Sequence, residues 1–129
     1  DVSVTDSFEV VLSNNGPFSL FIDIGEILNT NKNNIIPDIY SLYQNYPNPF
    51  NPTTIIKYDL PEDSFVGLIV YDLMGNVILN LVNKEESAGY KLIKWDGNNA
   101  KGTPASAGVY FYKIQTESFI KTKKMILLK

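Results

Sequence analysis

The sequence predicts an all-β sandwich, and three observations lead to this prediction. Segments rich in β-branched and aromatic residues recur with turn signals about every 8 to 12 residues, the pattern of a sandwich. The 129 residues are 44% hydrophobic and 12% aromatic but only 19% charged, which is enough apolar material for one core. No segment has a helical apolar period. We therefore expect one folded β domain in which helices are minor.

Six segments in the second part of the chain have strand character. Each combines β-branched or aromatic residues with a turn signal at its end. The segments are Thr53–Leu60, Phe65–Leu73, Val77–Val82, Tyr90–Trp95, Gly108–Gln115 and Phe119–Leu128. Phe65–Leu73 is apolar on both faces, which predicts a central strand covered by the second sheet on one side and by a loop or arm on the other.

The first part of the chain differs from the rest in charge. Residues 1–40 carry one Lys against six acids, whereas residues 41–129 carry ten Lys against eight acids. An Asn-Gly turn between two apolar segments predicts a β-hairpin over residues 1–28. The Asn-rich residues 29–41 predict a mobile linker. The hairpin is either the tail of an upstream β domain or an extra pair of strands on the sandwich of residues 42–129.

A proline-rich stretch opens that second part. Pro47, Pro49 and Pro52 stand at nearly alternate positions, and proline lacks the amide that a central strand donates. The stretch is therefore predicted to be an ordered, extended arm. Its aromatic residues are expected to dock it on the core: Tyr43, Tyr46 and Phe50. The arm is also the natural cover for the outer face of Phe65–Leu73.

The residue types present exclude several kinds of chemistry. Without Cys or His the chain has no disulfide, thiolate nucleophile, Cys/His zinc site or imidazole catalyst. The absence of Arg and a net charge of −3 argue against a nucleic-acid partner. No apolar run approaches the roughly 20 residues that span a bilayer, so no transmembrane segment is expected, and a signal peptide would lie outside this sequence. We predict neither a cofactor nor an enzyme.

One loop has the oxygen-bearing side chains of a calcium site. Asp96, Asn98 and Asn99 lie among glycines, but the loop lacks the acidic density and the distal Glu of an EF-hand. We interpret the loop as a turn and keep the three residues as weak candidates for metal ligands. Trp95, directly before them, is interpreted as a core anchor and not as a platform for a sugar ring.

Four segments resemble, in the right order, the type A C-terminal sorting domain of the type IX secretion system (Por secretion system) of Bacteroidetes and related phyla. They read LYQNYPNPFNPTTIIKYDLP, VYDLMGNVI, AGYKLIKWDGNNAKGTPASAGVYFYKI and KTKKMILLK. Together they extend over residues 42–129. The resemblance implies an immunoglobulin-like β-sandwich of about seven antiparallel strands, which is also similar to the Ig-like module of flagellar hook-capping proteins.

The resemblance also implies a function in protein transport. Such a domain directs a larger cargo protein, part of the same precursor, across the outer membrane. Its partners are the outer-membrane secretion machinery and a sortase-like protease that commonly removes the domain. The protein would be exported, passing through the periplasm to the cell surface or the medium.

The motif positions of that family carry over to this chain in three groups. The structural motif is Pro47, Asn48, Pro49 and Phe50, and the recognition residues are Gly108, Val109 and Tyr110 together with Lys124, Met125, Ile126, Leu127, Leu128 and Lys129. Gly108 offers an unusual backbone conformation or a close approach, and Tyr110 or Tyr112 is a candidate tyrosine corner. The last segment is either a final core strand with solvated lysines or an open edge that a receptor pairs with, and the two are compatible.

The alternative function is a passive module. The same sandwich would suit a spacer, an adhesion domain or a carbohydrate-binding module of a secreted enzyme. An aromatic platform exposed on one face would favour this alternative.

Overall fold

The structure is a computed structural model, and it describes residues 35–129. The predicted hairpin of residues 1–28 and residues 29–34 of the predicted linker lie outside the described residues. Within residues 35–129, all regular structure is β, in seven strands and two antiparallel sheets. This arrangement confirms the predicted immunoglobulin-like β-sandwich. In the described part of the chain, no helix has the length and apolar character needed to cross a membrane.

Seven strands form the two sheets. They are β1 (Ser41–Leu42), β2 (Thr54–Leu60), β3 (Ser64–Asp72), β4 (Val77–Glu86), β5 (Gly89–Trp95), β6 (Gly108–Gln115) and β7 (Ile120–Leu127). The smaller sheet has the order β1-β2-β5, and the larger one has the order β4-β3-β6-β7. The proline-rich arm connects β1 to β2.

The core lies between the sheets and is built by the inward residues of each strand. Alternation along a strand sends every second side chain to the same face. In β3 this places Val66, Leu68 and Val70 inside, fully buried. The other large side chains that the strands bury almost completely are Ile56, Tyr58, Leu60, Trp95, Tyr112, Ile114, Met125 and Leu127. Apolar side chains of both sheets thus leave water together, which is the main force that holds the sandwich.

The strand β4 is longer than predicted. The sequence indicated a strand over Val77–Val82 followed by a polar loop, whereas the strand continues to Glu86. The added residues pair with the start of β3, so that Asn83 opposes Gly67 and Glu86 opposes Ser64. Ladder hydrogen bonds to a neighbouring strand outweigh the weak strand propensity of these polar residues.

Two expectations about the arm were wrong. The arm does not cover the outer face of β3, where Phe65 stays exposed. Phe50 is buried as predicted, but Tyr43 and Tyr46 are exposed and do not dock the arm on the core. The inward position before Tyr43 is taken by Leu42, which leaves Tyr43 on the outer face of the smaller sheet.

Candidate recognition site

Two of the predicted recognition motifs lie side by side, although they are distant in the sequence. The first residues of β6 pair with the last residues of β7 in an antiparallel ladder. The facing pairs are Gly108–Leu127, Val109–Ile126 and Tyr110–Met125. The structure therefore brings the two predicted motifs together at one end of the larger sheet.

The proline-rich arm joins the same surface from the other side of β7. The amide of Phe50 donates to the carbonyl oxygen of Ile126 at 3.0 Å, and the amide of Leu128 donates to the carbonyl oxygen of Phe50 at 2.8 Å. The Oδ1 atom of Asn48 accepts the amide of Ile126 at 3.0 Å. The side chain of Gln44 donates to the carbonyl oxygen of Lys124 at 2.7 Å. The sequence left open whether this segment is a final core strand or an open edge, and along this stretch the arm pairs the edge of β7.

An aromatic row connects the motifs beneath the surface. The ring of Phe50 lies 5.6 Å from that of Trp95, and Trp95 in turn meets Tyr110 edge-on at 5.7 Å. The indole nitrogen of Trp95 donates to the carbonyl oxygen of Asn98 at 2.9 Å. Trp95 is thus the core anchor that the sequence predicted, and it links the arm to the start of β6.

Both candidate tyrosines anchor backbone groups through their hydroxyls, Tyr110 locally and Tyr112 at long range. The hydroxyl of Tyr110 donates to the carbonyl oxygen of Ser106 at 2.6 Å, the arrangement of a tyrosine corner. The hydroxyl of Tyr112 donates to the carbonyl oxygen of Tyr43 and accepts the amide of Asn45. Burial raises the pKa of Tyr110, and it raises the pKa of Tyr112 to about 12, because a phenolate would lose its hydration there.

A buried polar network fixes the bend of the arm. The side-chain amide of Asn45 donates to Thr54 Oγ1 at 2.9 Å and to the carbonyl oxygen of Pro47 at 3.1 Å. The Thr54 hydroxyl donates to the same carbonyl oxygen at 2.8 Å. Both side chains are buried, and their mutual hydrogen bonds satisfy groups that would otherwise destabilise the fold. The arm is therefore held at its bend as well as along β7.

Only some of the predicted recognition side chains are accessible to a partner. Tyr110, Met125 and Leu127 point into the core and are buried. The accessible or half-buried side chains on the outer face of β6 and β7 form what we call the terminal patch: Val109, Lys124, Ile126 and Leu128. Lys129 is exposed beside it.

Gly108 serves the site through its backbone conformation. Its φ of +151° is one that side-chain-bearing residues rarely adopt, and no atom lies within 4 Å of where a Cβ would stand. The sequence left two roles open for this glycine, and the geometry assigns it a conformational role at the start of β6.

A cleft of about 480 Å³ adjoins Gly108 and Tyr110. Leu73 and Met74, at the turn between β3 and β4, form an exposed apolar tip on its rim. The carboxylate of Asp72 accepts the amides of Met74 and Asn76, both at 2.9 Å, and hydrogen bonds from Asn76 above all lower its pKa. This tip was not predicted, although an apolar Leu-Met pair inside a turn is a usable signal in the sequence.

The loop considered for calcium uses its side-chain oxygens internally. Oδ1 of Asp96 accepts the amide of Asn98 at 3.1 Å. Oδ1 of Asn99 accepts the amides of Lys101 and Thr103, both at 3.0 Å. Within residues 35–129, no three Asp or Glu side chains come together as a metal site would require. These hydrogen bonds organise the loop as a turn.

The family comparison matches most of the sandwich and leaves out part of the site. A sequence model of the FlgD Ig-like domain matches residues 50–118, more than half of the chain. The matched range contains β2 to β6, whereas β7 and the arm before Phe50 lie outside it. No curated protein sequence matches the chain significantly.

Solved structures contain similar sandwiches. Dimeric latent PorU from Porphyromonas gingivalis matches with a TM-score of 0.57 and 21% identity, over 74% of this chain and 10% of that one. PorZ of the same bacterium, described as an essential surface component of its type IX secretion system, matches with a TM-score of 0.48 and 18% identity, over 69% and 12%. FlgD from P. aeruginosa matches with a TM-score of 0.46 and 27% identity, over 59% and 64%. The chain thus spans about a tenth of the length of PorU and PorZ.

Proposed function

The chain belongs to the family of FlgD Ig-like domains, and from that premise we propose that it is a sorting module of the type IX secretion system. The family match confirms the Ig-like resemblance found in the sequence. The module would direct a larger cargo protein across the outer membrane and would act by being bound, with no catalysis of its own. Its partners would be the outer-membrane machinery and a sortase-like protease, and its destination the cell surface or the medium.

The convergence of the motifs is the observation that carries this proposal. The arm, the start of β6 and the end of β7 carry the residues by which the chain resembles sorting domains, and these segments meet at one end of the sandwich. A core could be closed by any well-packed strand, whereas a receptor needs a contiguous surface with fixed side chains. The terminal patch meets that need, because the arm and β6 hold β7 from both sides.

The geometry also indicates which groups of the terminal patch a receptor would contact. Since the arm pairs the backbone of β7 near Lys124 and Ile126, a receptor meets side chains on the outer face before it meets backbone groups. The patch combines the cation of Lys124 with apolar side chains. We therefore propose recognition by an apolar surface that carries a carboxylate, with Lys124 as the electrostatic contact and Leu128 as the apolar one.

The decisive experiment measures delivery in a bacterium that has a type IX system. The whole chain is fused behind a signal peptide and a fluorescent reporter, and surface fluorescence is measured. Deleting Lys124–Lys129 would also remove the buried Met125 and Leu127 and so unfold the module. Instead, the double substitution Lys124→Ser and Leu128→Ser changes exposed side chains only. We expect it to abolish delivery while thermal unfolding of the purified chain stays unchanged.

A matched control lies on the same strand. Ile120→Ser with Lys121→Ser also removes one exposed apolar side chain and one exposed lysine, at the far end of β7. This variant should be delivered as well as the unchanged chain. If both variants are delivered equally, the terminal patch is not the signal. If the unchanged chain stays periplasmic in a cell that exports its own cargo, the sorting function itself is wrong.

A further inference from the structure

The outer face of the smaller sheet carries a row of exposed tyrosines. Tyr90 of β5 opposes Asp59 of β2, and Tyr46 of the arm opposes Ile55. Along the direction of β2, Tyr43 lies between them, since its amide donates a hydrogen bond to the carbonyl oxygen of Lys57. We call this surface the tyrosine trough, formed by Tyr43, Tyr46, Lys57, Asp59 and Tyr90. It lies on the sheet opposite to the one that carries the terminal patch.

The trough has walls and a floor. The central strand β2 supplies the floor, Tyr43 and Tyr46 stand on one side, and Tyr90 and Leu92 stand on the other. The walls are two strand spacings apart, about 10 Å, and the space between them is about 800 Å³. Tyr46 is 80% exposed and Tyr90 is 63% exposed, so their rings are solvated on a surface where a folded domain usually presents polar side chains.

A buried carboxylate lies in the floor. Asp59 is only 6% exposed although it is an acid on the outer face of a sheet. Among residues 35–129, the one side-chain or amide hydrogen bond to its carboxylate comes from the Tyr43 hydroxyl. A carboxylate removed from water to this extent normally accepts several hydrogen bonds. Asp59 is one of the residues that line the trough, so a hydroxyl of a ligand bound there would be a second donor to its carboxylate.

We propose that the tyrosine trough binds a saccharide. Sugar rings present C–H faces that pack on aromatic rings and hydroxyls that donate to carboxylates, and the trough offers both kinds of group at once. Lys57 beside Asp59 supplies a donor for the sugar's ring and hydroxyl oxygens. A peptide strand would instead need unpaired backbone groups, and the trough lies on a sheet face whose central strand is paired on both sides. The exposed tyrosines are the aromatic platform that would favour the alternative function, and the two activities can coexist because the trough and the terminal patch lie on opposite sheets.

The test uses the whole chain, labelled with a fluorophore, on a glycan array that includes neutral, acidic and amino sugars. Glycans that bind are then measured in solution by titration calorimetry. We expect binding to at least one glycan class, and an affinity about tenfold lower for Tyr46→Ala and again for Tyr90→Ala, since each removes one stacking ring. Asp59→Asn, which keeps the shape of the side chain, should lower the affinity for the same glycans.

The control is Phe65→Ala, which removes an aromatic ring of similar exposure from the other sheet. It should leave glycan binding unchanged. Circular dichroism checks that each variant is folded. Tyr46 and Tyr90 are exposed and lie outside the core, so their replacement should leave the fold intact. The proposal is overturned if no glycan binds, or if binding persists undiminished in the variant that lacks both Tyr46 and Tyr90.

Discussion

The hydroxyl of Tyr112 donates to the carbonyl oxygen of Tyr43 at 2.7 Å, across 69 positions of the chain. The same hydroxyl accepts the amide of Asn45 at 2.8 Å. Tyr112 belongs to the larger sheet, and its two partners lie where the chain leaves β1 of the smaller sheet. One buried phenol therefore fastens the beginning of the arm to the opposite sheet.

Replacing Tyr112 by Phe should destabilise the protein by about 1–3 kcal/mol, because the buried amide of Asn45 and the half-buried carbonyl group of Tyr43 lose their partner. Urea unfolding of the whole chain measures the change. Tyr90→Phe is the control, since it removes a hydroxyl from an exposed ring. Equal stability of the two variants would show that water replaces the Tyr112 hydroxyl.

Alkaline pH should weaken the same contact. The pKa of Tyr112 rises from 10.0 to about 12 on folding, chiefly through burial. The folded state therefore favours the neutral phenol, and this contribution is fully present below pH 10 and is lost as pH rises toward 12. Unfolding free energy measured across that range should fall less steeply for Tyr112→Phe than for the unchanged chain. Parallel curves would contradict the assignment.

A comparison of Gly97 with Gly102 distinguishes the effect of a close backbone neighbour from the effect of an unusual φ angle. Their φ angles are nearly equal, +82° and +83°. A Cβ on Gly97 would lie 2.8 Å from the carbonyl oxygen of Pro52, whereas one on Gly102 would meet nothing within 4 Å. Gly97→Ala should therefore cost about 1–3 kcal/mol more than Gly102→Ala, as a steric overlap in a packed site does. Thermal unfolding of both variants gives the difference, and equal values would mean that the arm shifts freely.

Asn48 should protect the amide of Ile126 from exchange with solvent. Its Oδ1 atom accepts that amide at 3.0 Å on the exposed side of β7. Asn48→Ala should speed hydrogen exchange at Ile126 and cost about 1 kcal/mol of stability. Asn51→Ala, at an exposed position of the same arm, should change neither quantity. Unchanged protection of Ile126 after Asn48→Ala would disprove the contact.

Local patterns in the sequence predicted the strands, whereas the partners of the arm depend on register. The two-sided apolar character of Phe65–Leu73 and the alternation in Tyr90–Trp95 are visible within a few residues, so these strands were predictable. The continuation of β4 through Glu86 depends on pairing with Ser64, about twenty positions away. The outward direction of Tyr43 and Tyr46 likewise follows from how the arm pairs with β2.

The separate motifs of the candidate site were predictable from the sequence, whereas their arrangement in space was not. The resemblance supplied Gly108–Tyr110 and Lys124–Lys129 as separate motifs. That they face each other follows from the β6–β7 hairpin, and that Asn48 and Phe50 complete the group follows from the path of the arm. A motif also cannot show burial, so Met125 and Leu127 stood beside Lys124 as candidates until the packing separated them.

The pairing of the arm with β7 bears on how the protein folds. Gln44 and Lys124 are 80 positions apart, and contacts of such separation form late because chain closure costs entropy before the contact repays it. During that interval β7 has a bare edge, which is a template for pairing with other copies of the chain. Refolding at high protein concentration should therefore favour aggregates joined through β7, and a factor that binds this strand transiently would raise the yield of monomer.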